Sequence, residues 1–276
     1  MIYQSRTGSV LFSLSMELTP FAKYEGLGND FIVVDGSDES AVDVATARQL
    51  CDRRRGIGAD GVLLLLPSRR SGADFRMKVI NADGSVPEMC GNGLRCVALH
   101  AARDRKRLVV DTDAGLRACS IDGTDITVDM GVVRSLGSRT VDLGDVRVET
   151  WLADAGNPHA VLFPDGDTLD ARQLGPRIST HPSFTLGTNV EFARVRDGGI
   201  DLTVWERGVG FTLACGTGAC AAVAVASARG LLPSDAAIEV RLPGGALSLR
   251  VDGRDGAVSM RGPARFVFAG EIALRA

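Results

Sequence analysis

The sequence predicts a mixed α/β fold (α+β in type): two pseudosymmetric lobes, each a mostly antiparallel, barrel-like sheet around a central helix. Three observations lead there. Short β-branched and apolar runs alternate with turns rich in Gly, Asn and Asp, and helical stretches are few. The second half of the chain also repeats, in order, the motifs of the first. Regular strand–helix alternation is missing, so sheets wrapped around helices fit better than a doubly wound parallel sheet.

Taken in order, strands are expected at 31–34, 61–66, 75–80, 126–128, 146–150, 190–195 and 202–205. Helices are expected at 44–53, 91–103 and 216–230, each containing Ala or Leu and free of proline. The repeat ties these elements together. Gly28-Asn29-Asp30, an apolar strand and Asp35-Gly36 in one half answer Gly156-Asn157-Pro158, an apolar strand and Asp165-Gly166 in the other. Cys90-Gly91-Asn92-Gly93 and Cys215-Gly216-Thr217-Gly218 each open a helix, 62 and 59 residues after Gly28 and Gly156. Nine residues before each cysteine stands a polar group, Asn81 or Glu206. Two lobes follow, 1–131 and 132–263, with 264–276 returning to the first as an edge strand.

Composition removes several function classes. A chain of 276 residues, 45% apolar and 24% charged, suits a soluble protein of one large or two medium domains. A net charge of −3 gives no basic footprint, so no nucleic-acid partner is expected. The arginines at 53–55 and 103–107 read as solvated helix faces. No apolar run reaches the roughly 20 residues that span a bilayer, so no membrane partner is expected. The stretch Val10 to Leu14 is short for a signal peptide and lacks an Ala-x-Ala site. Met16 is a candidate start, with residues 1–15 an upstream extension.

Of six cysteines, none forms a Cys-x-x-Cys pair or a Cys/His cluster, so no metal site is expected. Without a secretory signal the expected compartment is the reducing cytoplasm, where thiols stay free. Cys51, Cys96, Cys119 and Cys220 read as small buried hydrophobes. Cofactors are not expected either. Lys23, Lys78 and Lys106 are the only lysines, none in a setting for a pyridoxal Schiff base, and no dinucleotide or Walker motif follows a strand.

Cys90 and Cys215 differ from the other four because they occupy matching places at two helix openings. Equivalent residues of two lobes face each other across the cleft between them. Glycines beside each cysteine leave amide N–H groups free, and helix N-termini favour anions. The thiolate and a substrate carboxylate compete for these amides, which would centre an α-carbon between two sulfurs. A helix terminus contributes about 0.3–2 kcal/mol, enough to bring a thiol from about 8.5 to about 7. Two such thiols in one site should not both ionise. One thiolate and one thiol is what a two-base racemase of amino acids needs. His159 and Glu206 are placed to tune the two thiols, Asn29, Asn81, Asn157 and Asn189 to bind ammonium or carboxylate, and Arg207 to grip a second carboxylate.

The motifs resemble those of the diaminopimelate epimerase family. The matching stretches are residues 26–31, 55–60, 81–85, 89–96, 156–159, 188–192, 205–208, 214–220 and 242–245, in family order from about residue 21 onward. The resemblance implies interconversion of LL- and meso-2,6-diaminopimelate, on the route to lysine and cell-wall precursors, by an often homodimeric enzyme without cofactor. It implies Cys90 and Cys215 as the proton-transfer pair and His159 and Glu206 as their modulators. Asn29, Asn81, Asn157, Asn189, Glu206 and Arg207 become substrate contacts, and the amides of Gly91, Asn92, Gly216 and Thr217 a carboxylate cradle. Two departures stand out: Gly61 where several members carry Gln, and the first 20 residues, which match nothing in the family pattern. The rivals are a racemase of the same fold acting on proline or histidine, and a redox sensor forming a Cys90–Cys215 disulfide.

Overall fold

The computed structural model describes residues 18–164 and 170–274. The Asp165-Gly166 turn and the candidate start at Met16 lie outside the described residues. The first half runs β1 (Leu18–Gly26), β2 (Asn29–Asp35), α1 (Val44–Cys51), β3 (Gly61–Leu66), β4 (Phe75–Asn81), α2 (Gly91–Ala102), β5 (Arg107–Thr112), β6 (Gly115–Asp122) and β7 (Asp125–Val132). The second runs β8 (Arg134–Asp142), β9 (Arg147–Asp154), β10 (Pro158–Leu162), α3 (Ala171–Ser179), β11 (Asn189–Arg196), β12 (Gly199–Glu206), β13 (Gly210–Phe211), α4 (Gly216–Ala228), β14 (Ile238–Leu242), β15 (Gly245–Val251) and β16 (Ala257–Pro263). The chain closes on β17 (Arg265–Ala273).

Strand pairing repeats strand for strand. In the first half β2 lies parallel to β3, β3 antiparallel to β4, β4 parallel to β5, and β5–β6–β7 continue antiparallel. In the second half β10, β11, β12, β14, β15 and β16 follow the same sequence of senses. The small helices α1 and α3 fill the β2–β3 and β10–β11 crossovers, and α2 and α4 the β4–β5 and β12–β14 crossovers. Parallel neighbours need such crossovers, and a helix is the usual one.

Two seams join the halves. The equivalent strands β7 and β16 pair antiparallel, with Met260 opposite Val128. β17 pairs antiparallel with β1, so the closing segment lies beside the first strand. A third contact is made by turns. The Leu27-Gly28 turn has positive φ at both residues, 57° and 79°, and its Leu27 carbonyl presses on Gly244, where a Cβ would stand 2.0 Å from that oxygen.

The core follows the same plan. One cluster holds Leu94, Val97 and Ala98 of α2 together with Ala221, Val223 and Val225 of α4, plus Met130 and Met260 from the paired strands. α4 is mostly apolar and is buried from Gly218 to Ala226, the pattern of a central helix rather than a surface one. Smaller clusters lie under α1 and under α3. The expected strands and helices all form. Sequence reading does not single out β1, β5, β6, β8, β13 to β16 or α3; β8 is exposed at all but one position and carries no apolar alternation.

Candidate active site

Cys90 and Cys215 are the N-cap residues of α2 and α4. Each backbone is extended at the cysteine, and each Sγ accepts from the amide three residues on: Gly93 at 3.3 Å and Gly218 at 3.4 Å. Thr217 Oγ1 lies 3.6 Å from Cys215 Sγ. The helix openings meet: a Cβ on Gly216 would stand 3.5 Å from Gly91 Cα, and both glycines rest on Met260. A side chain at either position would press first on the flexible methionines, Met260 and, at Gly91, Met130. The first-turn amides of Gly91, Asn92, Gly216 and Thr217 have no acceptor within their helices.

Asn92 stitches the site together. Its Nδ2 donates to Asn29 Oδ1 at 3.1 Å and to the carbonyl of Ala214, the residue before Cys215, at 3.2 Å. Its Oδ1 accepts from Arg95 at 2.8 Å, which fixes the amide's orientation. Asn29 Nδ2 donates in turn to Asp60 Oδ2 at 2.7 Å. Asp60 is held in a charge network in which Lys23 and Arg53 pair with Asp30 and Arg53 also with Asp60. Burial works against the Asp30 carboxylate, but hydrogen bonds from Arg53 and Lys23 bring its pKa down to about 2.

The other expected residues fall into three groups. His159, enclosed on β10, has Nδ1 2.7 Å from Glu191 Oε1 and Nε2 2.8 Å from Asn157 Oδ1. Its ring nitrogens therefore face Glu191 and Asn157 rather than a thiol, and its link to Cys215 runs through Glu191. Asn189 donates to the Pro158 carbonyl and accepts from the Arg207 amide, while the Arg207 guanidinium donates to the Leu186 carbonyl. Asn81 ends β4, donates to Ser85 Oγ at 2.9 Å and pairs with Gly61. A Cβ at Gly61 would meet the Ile80 carbonyl at 3.0 Å, so the longer side chain of several relatives needs a local shift here.

Glu206 ends β12 and faces both thiols. Its Oε1 accepts from Thr212 at 2.6 Å, and burial raises its pKa against that bond and one from Cys215. Burial pushes the Cys90 thiol up, with Glu206 adding to the rise and the Gly93 amide and Arg95 opposing it. Burial pushes Cys215 well up, and Glu206 and Glu191 push it further, against Thr217 and the Gly218 amide. This corrects the expectation of thiols brought down toward about 7. Removal from water, with Glu206 acting on both thiols and Glu191 on Cys215, outweighs the ~0.3–2 kcal/mol of a helix end.

Sequence reading assigns no role to Glu191, Arg95, Thr212 or Asp60. The signal for the first two was a charge within an apolar strand and a charge within an apolar helix. Among the described residues no cluster of His, Cys, Asp or Glu is arranged to hold a metal ion, and no helix is long and apolar enough to cross a membrane.

The two-lobed mixed α/β architecture, with a cysteine capping each central helix, is a fold found in solved epimerases. A hydroxyproline epimerase from Agrobacterium vitis shares it with a TM-score of 0.73 at 18% identity, over 94% of this chain and 93% of that one. A phenazine biosynthesis protein of the PhzF family from Bacillus anthracis follows with a TM-score of 0.70 at 13% identity, over 93% of this chain and 99% of that one. The particular family comes from sequence: the profile described as diaminopimelate epimerase matches residues 21–136 and 151–267. Diaminopimelate epimerases of Desulforudis audaxviator and a Synechocystis strain are 45% and 43% identical, each over 91% of this chain and 98% of theirs. The chain belongs to the diaminopimelate epimerase family and is an isomerase.

Proposed function

We propose that this enzyme interconverts LL- and meso-2,6-diaminopimelate by two-base proton transfer between Cys90, Cys215 and the α-carbon. The meeting of two cysteine-capped helix openings at Gly91 and Gly216 carries the proposal. The reacting carboxylate rests on the first-turn amides of Gly91, Asn92, Gly216 and Thr217, where helix ends favour an anion. One sulfur, as thiolate, takes the α-proton from one face while the other, as thiol, delivers its proton to the opposite face. His159 and Glu206 modulate the pair. Asn29, Asn81, Asn157, Asn189, Glu206 and Arg207 hold the remaining polar groups of the substrate. No step calls on a cofactor or metal.

The same proposal places the enzyme in lysine and peptidoglycan precursor synthesis, in the cytoplasm, where free thiols persist. It divides the chain at residues 131 and 132, with 264–276 counted in the first lobe, as the repeated strand order supports. It also makes the enzyme a homodimer through β17, an edge strand with Phe266, Val267 and Phe268 exposed.

Incubating the reduced protein with LL-diaminopimelate in deuterated water tests the chemistry. Deuterium should enter at one α-carbon as the meso isomer forms. Verified free thiols with no α-label would end the proposal, and label entering proline or histidine instead would move it to another racemase.

A further inference from the structure

The two lobes repeat each other in topology but not in the residues behind the cysteines. Leu63 stands opposite Val79 on β4 just as Glu191 stands opposite Val204 on β12. These two side chains fill the same place: Leu63 Cδ2 and Glu191 Oε1 each lie 2.9 Å from where a Cβ would stand on Gly93 or Gly218. Phe31 and His159 correspond likewise, facing Gly61 and Asn189 across parallel strand pairs. Five residues after each cysteine the helices also differ, with Arg95 in α2 and Cys220 in α4. The turn of Cys90 is therefore backed by apolar groups and a cation, and that of Cys215 by a carboxylate and an imidazole.

Arg95 is fully buried. It donates to the Pro263 carbonyl and to Asn92 Oδ1 and leans on Met260 Sδ, and among the described residues no carboxylate pairs with it. A guanidinium keeps its charge, and a buried charge without a counter-ion is strongly unfavourable. A negative charge in the site supplies what the core withholds. Of the thiols nearby, Cys96 and Cys220 are enclosed and held protonated by burial, Cys220 at about 12. Glu25 is engaged by the Gly28 amide and by Arg265. Cys90 is the thiol left, and it is only partly buried.

Glu191 works in the opposite sense. It is fully buried, one oxygen accepts from His159, and Oε2 has no partner. A carboxylate there opposes a second negative charge on Cys215. Glu206 lies near both sulfurs but accepts a hydrogen bond from Cys215, so it adds to the hold on that proton.

We propose that Arg95 and Glu191 are positioning residues that make the two cysteines unequal before substrate arrives: Arg95 gathers negative charge on Cys90 Sγ, and Glu191 keeps the proton on Cys215 Sγ. The proposal rests on the two-thiol mechanism above. The first turnover then moves the α-proton to Cys90 Sγ and the Cys215 proton to the opposite face of the carbon. The resting state returns when Cys90 loses its proton to water and Cys215 regains one.

Alkylation of the reduced, intact protein by iodoacetamide across a pH series, read by peptide mass, gives a separate midpoint for each cysteine. The midpoint, unlike the rate, does not depend on access. In the unaltered enzyme the Cys90 midpoint should lie at least about one unit below that of Cys215, a tenfold difference in thiolate fraction. Arg95→Met should raise the Cys90 midpoint by about one unit and Arg95→Lys should restore it, while Glu191→Gln should lower that of Cys215. Should Arg95→Met fail to fold, the unaltered enzyme and Glu191→Gln still decide. A Cys215 midpoint at or below that of Cys90, or midpoints indifferent to both substitutions, overturns the proposal. No turnover is involved, so an enzyme inactive on diaminopimelate leaves this measurement standing, and an active one with equal midpoints overturns the inequality alone.

Discussion

Gly91 and Gly216 touch: a Cβ on Gly216 would stand 3.5 Å from the Cα of Gly91 and 3.3 Å from Met260 Sδ. The contact sets the distance between two helix openings and hence between the cysteines capping them. Alanine at 216 is tight rather than impossible, because Met260 is flexible and gives by a few tenths of an ångström. Gly216→Ala is expected to fold with a loss of about 1 kcal/mol. Its rate should fall much further, by about 100-fold, since small misplacements of reacting groups are costly. Thermal unfolding beside the deuterium-label assay separates the two effects; equal, small losses in both would show that the glycine contact does not gauge the site.

Loss of either sulfur should be close to total. Cys90→Ala and Cys215→Ala each remove one of two proton carriers, and turnover should drop by at least about 1,000-fold. Carriers acting as a unit are not additive, so the double variant should be no worse than either single one. Burial raises both thiols, so more of the thiolate forms as pH rises, and kcat/KM should still be climbing at about pH 8. Full turnover in either single variant rules out the two-base scheme.

The charge network behind Asn29 gives a pH-dependent contribution to stability. Lys23 and Arg53 hold Asp30 at about 2 despite burial, below its unfolded value of about 3.9. A carboxylate lowered on folding stabilises above its unfolded pKa, and that share is lost as pH falls from about 4 to about 2. Asp30→Asn leaves Lys23 buried without its counter-ion and should cost about 3 kcal/mol at neutral pH. Urea unfolding of both proteins from pH 7 to 2.5 should show the gap narrowing in the acid range. A gap that stays constant would mean that Asp30 stabilises by shape rather than charge.

What the sequence made legible, and what it hid, has physical causes. Cys90 and Cys215 could be read because a glycine-rich turn before an alanine-containing helix has a fixed local meaning, and repeating it at a set distance removes chance. β3 could be read because it is buried on both faces and runs apolar, and the first five residues of β11 are buried on both faces as well. That same burial hid Glu191: in Asn189-Val190-Glu191-Phe192 a charge reads as the outward side of an alternation, yet both sides of β11 are covered. Arg95 was hidden because an arginine on a helix is assumed to reach water. Only matching the two copies position by position, Leu63 to Glu191 and Arg95 to Cys220, displays these residues as differences between them. β8 escaped notice because its side chains pack against almost nothing.

The edges formed by β17 and β8 occupy equivalent places, each pairing with the first strand of its repeat, β1 or β9. Their chemistry differs. β8 presents Arg134, Ser135, Ser138 and Arg139, the charged and polar dress that keeps an edge from pairing. β17 presents Phe266 at 56% exposure, Val267 at 48% and Phe268 at 42%. Phe266 and Phe268 stand on one face, edge-on to Tyr24 and Phe21 of β1. An aromatic row beside an unpaired strand edge is a poor surface to leave in water, and in the proposed homodimer a second copy of the same strand would cover it under a two-fold axis. Phe266→Asp with Val267→Lys should therefore give a monomer by light scattering, with apparent affinity for its twin weakened by at least about 100-fold. The doubly substituted chain should keep its far-ultraviolet circular dichroism, because both side chains are largely exposed. A dimer of unchanged strength would move the interface away from β17.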